Sequence, residues 1–285
     1  MTISNYDGII NARANNPIND VFFTKITAFG GVSGMWYSSF HAFSGTPIDI
    51  YRPAVGSGGV FSNVSTGAIP LTNPNSGNSK YLLTVGLTTP SVSGFSAAML
   101  VDLVWLGSGL SPNSTSAQSL YMPSTPVRYY DGTGLMLAFA SKSGFVGGIA
   151  SNITVNYTNN SGTAGRVSTQ AAVQSIGIQR LMQFGAGPFF PLAGGDGGIR
   201  SIQSITFSAS MGNTALLDVL LVKPLAMIPT IAANTFVERD STAQIDGLTP
   251  LPWGSNSAIS CLGLFLLTGG TTTTTLVGFM RTCEG

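Results

Sequence analysis

The stretch that decides the fold is "AAMLVDLVWLGSGL" (97–110), which returns in outline as "TALLDVLLVKPL" (214–225). Each is an apolar run with a single aspartate near its middle, Asp102 in the first and Asp218 in the second. Apolar runs bounded by Gly, Ser and Pro are typical of buried β-strands. Two such strands with one acid each indicate either a catalytic carboxylate pair or one structural unit used twice.

The rest of the chain carries a β pattern from Val21 onward. Short segments rich in Val, Ile, Thr, Phe and Tyr alternate with Gly, Asn, Ser and Pro turns, which is the pattern of an all-β domain. The clearest predicted hairpin joins 153–158 to 163–169, and further strands are predicted within 76–89 and 199–210. No long segment has a helical period, so we predict an all-β fold of sandwich or jelly-roll type.

An internal repeat indicates two similar units. Residues 69–89 match 190–210, and in both copies the aspartate-bearing run follows. We therefore predict a short N-terminal arm at 1–20, which holds two helical turns ended before Pro17, and β-sandwich units at 21–176 and 177–285. Whether the copies form separate domains or one interleaved sandwich stays open at this point.

The repeated acids are interpreted as structural. An acid at the same place in two copies indicates a shared structural need, and a buried aspartate is costly unless it is paired or hydrogen-bonded. Arg128, Arg200 and backbone N–H groups of a neighbouring loop are all candidate partners. We therefore expect Asp102 and Asp218 to be buried structural acids.

The two cysteines, Cys261 and Cys283, fit neither a zinc site nor a CxxC redox pair. The stretch between them reads as strand, turn, strand, and a hairpin centred on Thr272 would place them opposite each other. Directly opposed residues have Cβ atoms about 4.5–5.5 Å apart, so a disulfide is within reach. Because nothing points to an oxidising compartment, we expect two reduced thiols that face each other, with the disulfide as the alternative.

Charge is scarce in this chain. Only 8% of its 285 residues are charged, with 12 basic and 11 acidic side chains, where about 25% is usual. Scattered basic residues do not make a nucleic-acid site, which requires a clustered positive face. No apolar run reaches the ~20 residues of a membrane-spanning helix. A chain with few charges and much apolar surface tends to associate, and large obligate interfaces would cover that surface.

Residues for catalysis or metal binding are few. The single histidine, His41, lies in an aromatic stretch, "YSSFHAF", where a packed or interface side chain is expected rather than a base. The acidic stretch with Glu238, Asp240 and Asp246 lacks the ordered alternation of a calcium loop, and no phosphate-binding glycine loop is present. We predict no catalytic, cofactor or metal site, and therefore no enzyme.

Several phrases of the sequence resemble virion structural proteins of tailed bacteriophages. They are "MTISNYDGIINARAN" (1–15), "NVSTGAIPLTNP" (63–74), "NYTNNSGTAGR" (156–166) and "GGDGGIRSIQSITFSAS" (194–210). The resemblance is to head decoration, or cement, proteins. It implies a homo-oligomer, most often a trimer, that binds the major capsid protein in a virion assembled in the bacterial cytoplasm, without cofactors. The alternative is a tail, collar or fibre component that binds the host.

Overall fold

A computed structural model describes most of the chain. The described residues are 3, 5–15, 19–27, 32–41, 43–46, 53–75, 78–90, 94–141, 145–146, 150–172, 175–176, 180–185, 187–212, 216–240, 249–252, 260–270 and 275–285.

Within these residues the elements are one helix and a series of strands. In chain order they are α1 (Tyr6–Asn15), β1 (Asn19–Thr27), β2 (Trp36–Ser38), β3 (Phe43–Thr46), β4 (Ser57–Val60), β5 (Lys80–Thr88), β6 (Phe95–Leu110), β7 (Met136–Ser141), β8 (Phe145–Val146), β9 (Asn152–Asn159), β10 (Arg166–Ala171), β11 (Ser175–Ile176), β12 (Ile199–Phe207), β13 (Leu217–Pro229), β14 (Val237–Asp240), β15 (Thr249–Pro250), β16 (Leu262–Thr268) and β17 (Thr275–Glu284). The predicted all-β fold is confirmed. The helix is too short to cross a membrane, and the described residues contain no helix that could.

A small barrel lies at the centre of the protein. Its strands run in the order β2-β16-β6-β13-β7, all antiparallel, with β4 also pairing with β6. Residues 180–182 connect the two end strands, β2 and β7. The Leu181 N–H donates to the Trp36 carbonyl on β2, and the Met182 N–H donates to the Phe139 carbonyl on β7. All five strands and Leu181 contribute side chains to one buried cluster. The hydrogen-bonded path therefore closes on itself around an apolar core.

Two further sheets cover the outside of this barrel. The first has the order β14-β5-β17-β1-β3, with β15 added to β5, and it shares a buried cluster with β2, β6 and β16. The second is the three-stranded sheet β10-β9-β12, which packs against β6, β7 and β13. The predicted hairpin at 153–169 is the β9–β10 pair, and the predicted strands at 76–89 and 199–210 are β5 and β12. The sheets therefore pack face to face, as in a sandwich.

The two halves of the repeat are interleaved in space. Strands from 21–176 and from 177–285 share both large sheets, and β6 pairs with β13 along almost its whole length. The two matched strands β5 and β12 have different positions, since β5 lies inside a large sheet and β12 is the edge of a small one. The predicted boundary at 176/177 therefore crosses each large sheet instead of separating two units.

The N-terminal segment packs on its own chain. Asn5 caps helix α1 by accepting a hydrogen bond from Gly8 N–H at 2.7 Å. The buried side of the segment packs on strands β5 and β17 in a small cluster made of Ile3, Ile9, Ala12, Tyr81, Leu83 and Cys283. The sequence predicts an arm that packs on something else. In the structure, residues 5–15 lie against the first covering sheet of the same chain.

The predicted hairpin between Cys261 and Cys283 is wrong. Strand β16 belongs to the barrel, where it pairs with β2 and β6, while β17 pairs with β5 and β1 in the covering sheet. Both cysteines are free and buried, Cys261 in the barrel core and Cys283 under α1. The chain changes sheets between the two strands because both are apolar enough to be buried in separate layers.

Candidate functional site

The first of the repeated acids, Asp102, is fully buried and completely paired. Arg128 donates from Nε to Oδ2 at 3.1 Å and from Nη2 to Oδ1 at 2.8 Å. Tyr129 donates its hydroxyl to Oδ2 at 3.2 Å, and Cys261 donates its backbone N–H to Oδ1 at 2.8 Å. A bidentate arginine with two further donors satisfies the carboxylate inside a low-dielectric interior.

Arg128 also binds the backbone of two other segments. Its Nη1 donates to the Phe61 carbonyl at 2.7 Å and its Nη2 to the Leu103 carbonyl at 3.0 Å. Burial lowers the pKa of Arg128, but the adjacent Asp102 carboxylate outweighs burial and the net pKa is raised. Burial, followed by the same carboxylate, holds the pKa of Tyr129 well above its usual value. The guanidinium therefore stays charged and ties β6 to two loops.

The second repeated acid, Asp218, has different partners. His41 Nε2 lies 3.0 Å from its Oδ2, and the Ser108 hydroxyl donates to its Oδ1 at 2.9 Å. All three residues are 0% exposed. Ser108 and His41 both bind the carboxylate, in contrast to a nucleophile–base relay in which the serine would bind the histidine. The packing expected for His41 is what the structure shows.

The two acids lie on opposite faces of one sheet. On β6, Val101 and Leu103 point into the barrel core, so Asp102 between them points outward. On β13, Leu220 points into the barrel core and Val219 points outward, so Asp218 points into the core. The carboxylates therefore point away from each other and cannot act together on one substrate. Local sequence could not predict this, because bulges shift the register between β6 and β13.

The other predicted residues are spread over the protein. Arg200, a candidate partner of the acids, lies on β12 beside Gly162, and Arg128 takes that role for Asp102. Glu238 and Asp240 are exposed on β14, while Asp246 lies outside the described residues. In the described part of the chain, no three His, Cys, Asp or Glu side chains group as they would around a metal ion.

The surface holds a feature that the sequence analysis missed, an aromatic ridge formed by Phe22, Phe236 and Phe279. The ring centroid of Phe279 lies 6.3 Å from that of Phe22 and 5.6 Å from that of Phe236. Phe22 is 74% exposed and Phe236 is 47% exposed. The ridge crosses the outer face of the first covering sheet. Its sequence signal is the Phe22–Phe23 pair on β1, because alternation places the two rings on opposite faces of the strand.

A glycine fixes the central ring of the ridge. Phe279 lies opposite Gly86 on β5 and opposite Phe22 on β1. A Cβ at position 86 would lie 2.3 Å from the Phe279 ring, so only glycine lets this ring lie flat on the sheet. Arg281 covers the same ring with its guanidinium carbon 5.2 Å from the centroid. The central ring of the ridge is therefore packed between Gly86 and Arg281.

Comparisons with known proteins give weak matches only. No family model and no curated protein matches the chain. The chain has weak structural similarity to solved structures of infectious bursal disease virus. One is of the Gt strain (11% identity, 94% of this chain and 81% of the other, TM-score 0.20) and one is of the VP2 subviral particle (11%, 94% and 80%, 0.18). A third, of virus-derived T=1 particles, has 11% identity over 94% and 77% with a TM-score of 0.20.

Proposed function

We propose that this chain is a structural subunit of a virus particle, and more specifically a decoration subunit that stabilises the head of a tailed bacteriophage. In this role it binds copies of itself and the major capsid protein, and it performs no reaction. The sequence resemblance to phage virion proteins supports the assignment to a bacteriophage particle. The scarcity of charge and the exposed aromatic side chains support the role of a decoration subunit.

The observation that carries the proposal is the location of the charged side chains in the protein. Charged residues make up 8% of the chain, and the two acids that suggested catalysis are sealed in the interior with their partners. Large aromatic side chains, Phe22 and Phe236, are exposed instead on the outer face of the first covering sheet. A protein that works by contact benefits from this arrangement, because apolar contacts are insensitive to salt and repeated weak contacts add up to high avidity.

A second candidate function is a tail or fibre component that binds the host. It is favoured by the long connection between β6 and β7, residues 111–135, where Tyr121 is 78% exposed and Tyr130 is 56% exposed. Loops of this length without regular structure are usually functional, and exposed tyrosines are common binding residues.

Purified particles distinguish these roles. Quantitative mass spectrometry gives the copy number of the chain relative to the major shell protein. A number comparable with that of the shell protein is expected for a head subunit, and a handful of copies indicates the tail. Absence from the particle overturns both roles. Particles of a virus that lacks the gene for this chain should be less resistant to heat than unmodified particles if the chain stabilises the head.

A further inference from the structure

We propose that the aromatic ridge is a self-association surface, on which a second copy of this chain docks with the same ridge. The inference rests on the proposed function, since it identifies the face through which the subunit binds its own copies.

The ridge has the composition of an interface centre. Phe22 is largely exposed and Phe236 about half exposed, and Ile26, 37% exposed, follows on the same face of β1. Contiguous exposed apolar side chains mark binding surfaces, and aromatic residues that are rigid before binding lose little entropy when they bind. Phe279 itself is buried, 8% exposed, and lies over Gly86 between the two exposed rings, with their centroids 6.3 and 5.6 Å from its own.

The charges around the ridge differ in sign between its two sides. Toward α1, Asp20 pairs with Arg13 at 3.3 Å and with Arg281 at 3.7 Å, so two arginines share one acid. On the β14 side, Glu238 and Asp240 lie on the same face of the strand, because Arg239 between them points the other way. The Arg13–Asp20–Arg281 group therefore holds more positive than negative charge, whereas the outer face of β14 carries two acids.

This pattern favours a second copy over a strongly charged partner. A nucleic acid or an anionic surface would be attracted by one side and repelled by the other. Glu238 lies two strands from Phe279, about 10 Å away, and Arg281 lies two residues along the strand, about 7 Å away. Consider a two-fold axis that lies between the two facing ridges, passes beside Phe279 and runs diagonally to the strands. Rotation about this axis brings Arg281 of each copy over Glu238 of the other. Such an isologous contact is the commonest symmetry of protein dimers.

Sedimentation equilibrium of the full chain tests this proposal. We expect the unmodified chain to form dimers or larger even-numbered assemblies, and Phe22→Asp to raise the dissociation constant by about thirtyfold or more, the effect of losing a central anchor. The matched control is Tyr121→Asp, which removes an aromatic ring of similar exposure, 78% against 74% for Phe22, from the loop 111–135 and should leave self-association unchanged. Equal thermal midpoints for the variants show that folding is intact.

Charge reversal tests the geometry. Arg281→Glu and Glu238→Arg should each weaken association, and the double variant should restore it because the opposite charges again meet across the axis. A monomeric unmodified chain, or association that Phe22→Asp leaves unchanged, overturns the self-association surface. The virion role is judged separately, from the presence of the chain in particles, so the two failures can be told apart.

Discussion

Asp102 and Arg128 form a bidentate ion pair in the interior, with contacts of 3.1 and 2.8 Å between guanidinium nitrogens and carboxylate oxygens. The pair joins a barrel strand to the long loop 111–135, which has no regular structure of its own. It thereby anchors that loop to β6.

Replacing Arg128 should be strongly destabilising. Arg128→Met leaves a buried carboxylate without its counter-ion and two carbonyls without donors, and we expect a loss of about 3–5 kcal/mol in the free energy of unfolding. Urea unfolding measures it. In the double variant Asp102→Leu/Arg128→Met the loss should be smaller than the sum of the single losses. Additive losses would contradict a direct pair.

His41 should matter more for stability than Ser108, although both bind Asp218. His41→Ala removes a large buried partner of the carboxylate and leaves a cavity, with an expected cost of about 3–5 kcal/mol. Ser108→Ala removes one hydrogen bond, with an expected cost of about 1–3 kcal/mol. Urea unfolding of both variants gives the comparison, and the reverse order would show that the histidine is not the main partner.

Gly86 should tolerate no side chain while Phe279 is present. Gly86→Ala places a methyl group 2.3 Å from the Phe279 ring, so the ring must move, and we expect a cost of about 1–3 kcal/mol from overpacking. In a Phe279→Ala background the same substitution should cost little, since the clash is gone. Equal costs of Gly86→Ala in both backgrounds would show that the ring does not lie over the glycine.

Stability toward acid should depend on Asp196. This residue accepts hydrogen bonds from Arg166 at 2.9 Å, Tyr157 at 2.6 Å and Asn159 at 2.7 Å, and the arginine above all lowers its pKa from 3.8 to about 2. A depressed carboxyl pKa contributes stability at neutral pH that is lost as the pH falls toward the folded-state pKa.

The variant Asp196→Asn tests this pH dependence. Its thermal midpoint should lie below that of the unmodified chain at neutral pH, and the difference should shrink as the pH falls from about 5 to about 2. Thermal unfolding followed by circular dichroism at several pH values measures this. A difference that stays constant over the whole range would mean that the ionised carboxylate contributes nothing.

The cysteines should behave as two independent buried thiols. Burial raises the pKa of Cys283 to about 11 and that of Cys261 further, so neither is an appreciable thiolate at neutral pH. An alkylating reagent should leave the folded chain unmodified and add two labels in denaturant, as read by intact mass. A single disulfide-linked species in denaturant without reductant would contradict the placement of the two strands in different sheets.

The sequence predicts local structure well and long-range arrangement poorly. The hairpin at β9–β10 and the strands β5 and β12 follow from alternation and turn residues, which are local signals. The predicted hairpin between Cys261 and Cys283 is wrong because two apolar strands joined by a short polar segment have the same sequence pattern in a hairpin and in two separate layers. The opposite faces of Asp102 and Asp218 depend on bulges, and the exposure of Phe22 depends on which sheet face is covered. None of these is encoded locally.

The central claim is that the chain acts as a structural part of a particle, by contact alone. Its most direct test is the stoichiometry of the chain in purified, nuclease-treated particles, measured by quantitative mass spectrometry against the major shell protein. We predict a copy number of the same order as that of the shell protein, retained through high-salt washing. A chain that is absent from particles and remains soluble in the infected cell would contradict the claim.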